Sequence, residues 1–287
     1  MSKVWLITGS GGGLGRIIAE TALEAGNKVV ATARDTSQLA DLVSRYGEQV
    51  LAVRLDVTDE EEGKAAVKAA VETFGRLDVL VNNAGYGDTR PFEQVPSEEF
   101  RRLIETCLFG VINLTRAVLP IMRGQRSGHI IQISSMGGRM GFGGNAAYIT
   151  SKWGVGGFTE ALAQETAPFG VKVTALEPGG MRTNWISRAY GERPALLPDY
   201  EATIGKHIEQ IAALAGHEQG DPVRVAEVVL KVADADHLPP HIVLGSYAFE
   251  AVRHTEQQRM AEADRWLAVA KYTDFGAEGP VPPLPVD

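Results

Sequence analysis

Residues 3–26 read KVWLITGSGGGLGRIIAETALEAG, and this stretch decides the fold. "KVWLIT" is a short, continuous apolar run, the signature of a strand buried on both faces. "TGSGGGLG" (8–15) is a glycine-rich turn, and "LGRIIAETALEAG" shows apolar residues at helical spacing. Glycines let the backbone turn sharply and approach a pyrophosphate closely. The N-terminus of the following helix then aims its free N–H groups at the anion. Taken alone, such a turn is equally a flexible loop. Its place between a first strand and a first helix favours dinucleotide binding.

The same alternation continues outward. "NKVVATA", "VLAVRLDV", "LDVLVNNAG", "GHIIQISS" and "VKVTALEPGG" read as strands. "SQLADLVSRYG", "EEEGKAAVKAAVETFG", a long stretch over about 97–123 and "AAYITSKWGVGGFTEALAQETAPFG" read as helices. The acids at 59–62 suit the start of the third helix, where negative charge meets the positive end of the dipole. Strand–helix alternation of this kind gives right-handed βαβ units and a parallel sheet. The expectation is an α/β, doubly wound (Rossmann-type) single domain. Its cofactor half covers about 1–135, and its catalytic and substrate part about 136–250. A C-terminal helix and Pro-rich tail cover about 247–287. After Thr183 the pattern loosens into a mostly helical stretch to about Ala233, which suits a lid. A late strand "HIVLG", a helix to about Lys271 and the tail "GPVPPLPVD" follow.

The 287 residues carry a formal net charge of −8, with 44% hydrophobic and 22% charged residues. That balance argues against nucleic-acid binding, which leaves a basic stripe. The single cysteine, Cys107, excludes an intrachain disulfide and a Cys-based metal cluster, and the six histidines show no HExxH pair, so no metal is expected. The N-terminus runs straight into a strand rather than a signal peptide. No apolar run approaches the roughly 20 residues needed to span a bilayer. A cytoplasmic protein without membrane contact is expected.

"AAYITSKW" (146–153) places Tyr148 and Lys152 four apart, on one helix face. By itself such a pair is ordinary helix surface. A free tyrosine titrates near about 10, and a nearby ammonium would lower that value. Tyr148 would then exchange a proton with a carbonyl oxygen as general acid/base.

Together the motifs resemble the short-chain dehydrogenase/reductase family over about residues 3–185. Thr8-Gly9-x-x-x-Gly13-x-Gly15, Asn82-Asn83-Ala84-Gly85, "SSMGG", Tyr148-x-x-x-Lys152 and "PGGMRT" stand in that family's order and spacing. The C-terminal third matches only in general character. The resemblance implies cofactor contacts at Gly9, Gly11, Gly13, Leu14 and Gly15. It places Asp56 at the adenine amino group with Val57 nearby, and gives Asn83 the role of bracing the central strands. Ala84 and Gly85 would let the ribose approach. Lys152 would hold the nicotinamide ribose beside Tyr148. Pro178, Gly179, Met181 and Thr183 would lie at the nicotinamide and its carboxamide. It also makes Ser135 the serine that orients the substrate carbonyl, with Ser134 the competing neighbour. Alternation along the strand lets only one of them face the cofactor, and spacing favours Ser135.

Strand two should end at Ala33, which the resemblance aligns with the family's NAD-selecting acid. Alanine neither binds both ribose hydroxyls nor repels a 2′-phosphate. Arg34 follows, and a guanidinium pairs with phosphate and stacks on adenine. NADP(H) is therefore expected over NAD(H), which stays the alternative; Asp35 is not taken as the ribose acceptor.

Cys107 stands where the family carries an asparagine, with Gly110 in register. Asn113 is six residues on, at the wrong position and on the wrong face for that role. In the family, the asparagine supports a helix kink whose carbonyl holds a relay water. A thiol is a poor hydrogen-bonding substitute, so turnover should be reduced or retuned rather than abolished. Cys107 also suits a small buried hydrophobe.

Tyr86, Met136, Phe142 and Trp185 are the candidate substrate walls, with Gly137, Gly143 and the segment 185–197 beside them. They describe a mostly apolar pocket, to which Arg182 and Arg188 add charge for an acidic group. The expected activity is NADP(H)-dependent hydride transfer between nicotinamide and a ketone or aldehyde. A 3-oxoacyl-thioester reductase is the alternative enzyme, and a non-catalytic dinucleotide sensor the alternative of another class. The family commonly forms dimers or tetramers through the Tyr–Lys helix, and "WGVGGFTEALA" suits such packing.

Overall fold

The computed structural model describes residues 2–190 and 194–286. Seven parallel strands form one sheet in the order β3-β2-β1-β4-β5-β6-β7. They are β1 (Val4–Ile7), β2 (Lys28–Ala33), β3 (Val50–Arg54), β4 (Val79–Asn82), β5 (Gly128–Ile133), β6 (Val171–Pro178) and β7 (His241–Leu244). The expected doubly wound, single-domain α/β fold is the one observed. β1 pairs with β2 on one side (Ile7 opposite Ala31) and with β4 on the other (Ile7 opposite Val81). Strand order reverses there, so a crevice opens at the carboxyl ends of β1 and β4, the place where such sheets take their ligands.

The first helices are α1 (Gly13–Glu24), α2 (Ala40–Tyr46) and α3 (Glu60–Phe74), followed by α4 (Ser97–Ile104) and α5 (Gly110–Gln125), which a π-turn (Glu105–Phe109) joins. Then come α6 (Ala146–Thr166), α7 (Trp185–Tyr190), the single turn α8 (Pro198–Tyr200), α9 (Lys206–Ala212), α10 (Pro222–Asp234), α11 (Ser246–Arg265) and α12 (Leu267–Tyr272). One core layer joins the sheet to α1 and α10 through Ile18, Leu23, Val229 and Val232. The other joins it to α3, α5 and α6 through Val67, Leu114, Val118 and Leu162. Both faces of β1 are thus covered, which is why its residues are apolar without alternation. Asp59 caps α3 by accepting from the Glu61 and Glu62 N–H groups, and three glutamates fill the first turn, as expected for that acidic run.

Two expectations need correction. The C-terminal helix does not run unbroken to Lys271: it stops at Arg265, and α12 begins after Trp266. One helical stretch, Ser97–Gln125, is long and apolar enough to cross a membrane by length and composition. The sequence reading passed over it because charged residues interrupt its run. Its apolar stripe, including Leu103, Val111 and Leu114, packs in the protein core.

Candidate active site

The glycine-rich turn follows β1 directly. Gly9 (φ +70°) and Gly13 (φ +57°) sit in the left-handed region that disfavours other residues. A β-carbon on Gly15 would run into Asn83 Nδ2 and come within 2.5 Å of the Gly9 carbonyl oxygen. That crowding arises because Asn83 braces the turn: its Nδ2 donates to the Thr8 carbonyl at 2.9 Å. Thr8 returns the tie, its Oγ1 accepting from the Asn83 and Ala84 backbone N–H groups, both at 2.9 Å. The β1 and β4 ends are thereby locked to each other, and Ala84 and Gly85 follow at once into the crevice. α1 begins at Gly13 without a side-chain cap, so its first-turn N–H groups are open to an anion. The Leu14 side chain is buried in the α1 core layer, leaving only backbone for a ligand.

β2 ends at Ala33, and Arg34 is exposed and makes no ion pair among the described residues. The Gln38 side chain crosses Gly11 close to Ala33, a contact with no sequence signal. Asp56 caps the turn after β3. Burial works against its ionisation, but the Thr58 N–H and hydroxyl, helped by Arg34 and Arg54, win and hold it below the usual carboxylate range. The Val57 side chain packs against Gly110, and its carbonyl accepts from Asn113 Nδ2 at 3.2 Å. Asn113 therefore points to the β3 end, away from Tyr148, as its sequence position implied.

α6 carries Tyr148 and Lys152. Lys152 is 6% exposed, and its Nζ lies 5.6 Å from the Tyr148 ring centroid and donates to the Ile133 carbonyl at 2.7 Å. Ser135, two residues beyond β5, lies close enough to the Tyr148 phenol to draw its pKa down, and its Oγ accepts from the Gly137 N–H at 3.0 Å. Ser134 Oγ is buried against Gly138 without a partner among the described residues, so Ser135 is the serine beside the tyrosine.

The balance of charge differs from the sequence expectation. Burial raises the Tyr148 pKa well above its ordinary value, and the pull of the nearby Ser135 hydroxyl offsets only part of this. Burial likewise lowers Lys152, with the Cys107 thiol working the other way. The ammonium is directed at a carbonyl and not at the phenol oxygen, so desolvation outweighs its pull on Tyr148.

Cys107 is fully buried with Leu103 and Ala147, and its Sγ donates to the Tyr86 carbonyl at 3.4 Å. Burial pushes its thiol pKa up. It sits inside the π-turn, so the helix keeps an irregularity at that point with a thiol in place.

Beyond β6, the Gly179 N–H donates to the Leu244 carbonyl, Met181 bridges to Gly220, and Thr183 Oγ1 accepts from the Trp185 N–H at 3.2 Å. Pro178 closes the strand just before them. Trp185 then lies over Tyr148, ring centroids 5.3 Å apart, and against Gly87. Tyr86 is on the same side, part-exposed beside Gly87 and Leu103. Met136 is buried with Ala248 and Val252 of α11, its cluster touching Phe142 and its sulfur 3.8 Å from where a β-carbon on Gly179 would stand. Phe142 lies between, near Gly137 and stacked on His207. Of the segment 185–197, residues 191–193 lie outside the described residues.

Sequence reasoning missed two supports. Tyr190 donates to Asn145 Oδ1 at 2.9 Å, and Asn145 Nδ2 donates to Thr89 Oγ1, tying α7 to the entry of α6. Behind α6, fully buried Glu177 meets His241 Nδ1 at 2.6 Å and Arg139 at 3.4 Å, and His241 Nε2 meets Glu160 at 2.8 Å. These pairs join residues far apart in sequence, and no local pattern announces them.

The model of the short chain dehydrogenase family matches residues 3–192, and the chain belongs to that family of oxidoreductases. The oxidoreductase BOA17 of Botryotinia fuckeliana is 45% identical over 267 residues, covering 93% of this chain and 97% of that protein. The 3-oxoacyl-[acyl-carrier-protein] reductase FabG of Vibrio cholerae is 35% identical, covering 82% and 91%. Among solved structures, a short-chain dehydrogenase from Streptomyces avermitilis superposes with a TM-score of 0.86 at 38% identity, covering 96% of this chain and all of that one. A Burkholderia phymatum member in complex with NAD gives 0.80 at 25% identity (91% and 95% covered), and ElxO with NADP bound gives 0.71 at 29% (85% and 96% covered).

Proposed function

We propose that this chain is an NADP(H)-dependent reductase of ketones or aldehydes, with Tyr148 as the proton donor. The observation that carries the reading is the placing of Ser135 and buried Lys152 beside Tyr148, with Lys152 Nζ 5.6 Å from the Tyr148 ring centroid, in the crevice that the glycine-rich turn also borders. The crevice suits a nicotinamide dinucleotide. Its turn leaves uncapped α1 N–H groups for a pyrophosphate, and the backbone at 84–85 carries little side chain to bar a ribose. Gly9, Gly13 and Gly15 would border the pyrophosphate, Asp56 the adenine, Lys152 the nicotinamide ribose, and the backbone from Gly179 to Met181 the carboxamide. Both NAD and NADP are found in relatives of this fold. Arg34 after Ala33, a cation without an ion pair among the described residues, favours the 2′-phosphate here.

A bound reduced nicotinamide would supply hydride to the carbonyl carbon. The protein's part is charge and position. The Ser135 hydroxyl, its oxygen already holding the Gly137 N–H, donates to the substrate oxygen and steadies developing negative charge. Tyr148, held protonated by burial, delivers its proton to the same oxygen. A tyrosine that keeps its proton suits reduction better than oxidation. Trp185 over the phenol and Phe142 near Ser135 favour an apolar group on the carbonyl. Cys107, read as standing in the place of the family's asparagine, keeps the helix irregularity without the amide.

The FabG relative supports a 3-oxoacyl thioester as the second substrate class. We also read the chain as a cytoplasmic homodimer or homotetramer through α6. Arg259 of α11 lies 4.8 Å from the Trp153 ring centroid, so the C-terminal helix already covers part of that face.

The test follows absorbance of reduced nicotinamide with NADPH and, separately, NADH over ketones, aldehydes and 3-oxoacyl thioesters. NADPH turnover that Tyr148→Phe lowers by about 10²–10⁴-fold is expected. Faster turnover with NADH overturns the Arg34 argument. Tight NADPH binding with no turnover of any compound favours the sensor.

A further inference from the structure

We propose that Arg188, on the lid helix α7, is the side-chain cation that closes over the cofactor's pyrophosphate; this rests on the dinucleotide reading above. Its terminal nitrogen lies 3.9 Å from where a β-carbon on Gly13 would stand, the one side chain from elsewhere among the described residues that comes so near that point. Gly13 opens α1, whose uncapped N–H groups face the same space. A pyrophosphate there carries about two negative charges, and N–H groups alone supply only partial positive charge.

The other arginine of this turn is already committed. Arg16 Nε pairs with Glu20 at 3.0 Å, and its terminal nitrogens with Asp41. Arg188, by contrast, makes no ion pair among the described residues. Its Nε–H donates to the Asn184 carbonyl at 3.3 Å, which leaves the terminal nitrogens of the fork without a partner among the described residues.

The position of Arg188 is built, not incidental. Ile186 and Tyr190 of α7 pack with Ile208 of α9, and the Tyr190 hydroxyl is fixed on Asn145. Three residues before Arg188, Trp185 rests on Tyr148. One short helix therefore spans the crevice, with an aromatic ring on the proton donor and a guanidinium at the phosphate turn. An anion held by Arg188 fixes α7 in this place, and the same contact keeps Trp185 over Tyr148. Cofactor binding and closure of the substrate side become one event.

The experiment measures dissociation constants of NADPH and NADH by titration calorimetry for wild type, Arg188→Ala and Arg188→Lys, at low and moderate salt. Because the pyrophosphate is common to both cofactors, Arg188→Ala should weaken both by the same factor, about tenfold or more. It should also flatten the salt dependence of binding, with Arg188→Lys falling between. Unchanged thermal unfolding of the free variants separates lost contact from lost fold, and Arg188→Gln replaces any variant that unfolds early. Affinities within twofold of wild type for both dinucleotides overturn the proposal. A loss confined to NADPH also overturns it, placing Arg188 at the 2′-phosphate. Wild-type protein that binds neither dinucleotide overturns the cofactor reading together with it.

Discussion

Thr8→Val tests the lock between the two central strands. The substitution keeps the shape of a side chain that is 1% exposed and removes one oxygen. That oxygen accepts from two backbone N–H groups, of Asn83 and Ala84, at 2.9 Å each. Both donors are then left without a partner in a part-buried place. An unsatisfied buried donor costs about 1–3 kcal/mol. Partial access of water to Asn83 and Ala84 puts each near the lower end, so the sum is about 2–3 kcal/mol. In a chain of this size, that corresponds to roughly 4–10 °C in unfolding temperature. The matching control is Thr8→Ser, which restores the oxygen and loses one methyl, and should recover most of the difference. The assay is thermal unfolding of the free protein followed by circular dichroism. Because Ala84 and Gly85 lie where the ribose would approach, NADPH affinity should fall in Thr8→Val as well. A Thr8→Val protein within about 1 °C of wild type refutes the reasoning, since the two N–H groups would then have another acceptor.

Three further outcomes follow from the charge and packing of the site. Burial raises Tyr148 above its ordinary value, so the acid form persists through neutral pH; reductive kcat/KM should stay level up to about pH 9 and fall only above it, whereas a decline centred near neutrality would mean another group limits the step. The His241 pKa is raised chiefly by its hydrogen bond to Glu177, against burial and with help from Glu160. The stability this gives is fully present below the ordinary histidine value of about 6.5 and is lost as pH rises through the higher folded value. Urea unfolding across that range should show the loss in wild type and not in His241→Gln. Cys107→Asn should change the rate or pH profile of reduction, and identical kinetics in the variant would remove Cys107 from any relay.

The strands were legible because they read as short, mostly apolar runs, β1 apolar and buried throughout, and the Asp59 cap because its acids stand in sequence next to the helix they start. The Tyr148–Lys152 spacing and the run of glycines were legible for the same reason: the residues that act together are neighbours in the chain. Leu14 and Met136 show where that logic ends. A motif assigns each a position, but whether the side chain faces ligand or core depends on α10 and α11, which arrive more than a hundred residues later. The Tyr148 pKa failed in sequence for a related reason. Spacing tells that an ammonium is close; it does not tell that the ammonium points at the Ile133 carbonyl, or how far burial of the phenol outweighs it.

The long-range contacts also explain how a buried charge is tolerated behind the active site. Glu177 is fully buried one residue before Pro178, and an unpaired carboxylate there would be costly. His241 from β7 and Arg139 from the turn after Ser135 both reach it, and Glu160 holds the far nitrogen of His241. Arg139 in turn pairs with Glu256, and its carbonyl accepts from Arg259 at 2.6 Å, both on α11. The segment that bears Ser135, the strand that leads to Gly179–Met181, the helix that bears Tyr148 and the C-terminal helix thus share one ionic network. α11 therefore belongs to the machinery that positions the site: shortening the chain before Glu256 removes the outer partners of Arg139, and the Ser135 turn loses its hold from the C-terminal side.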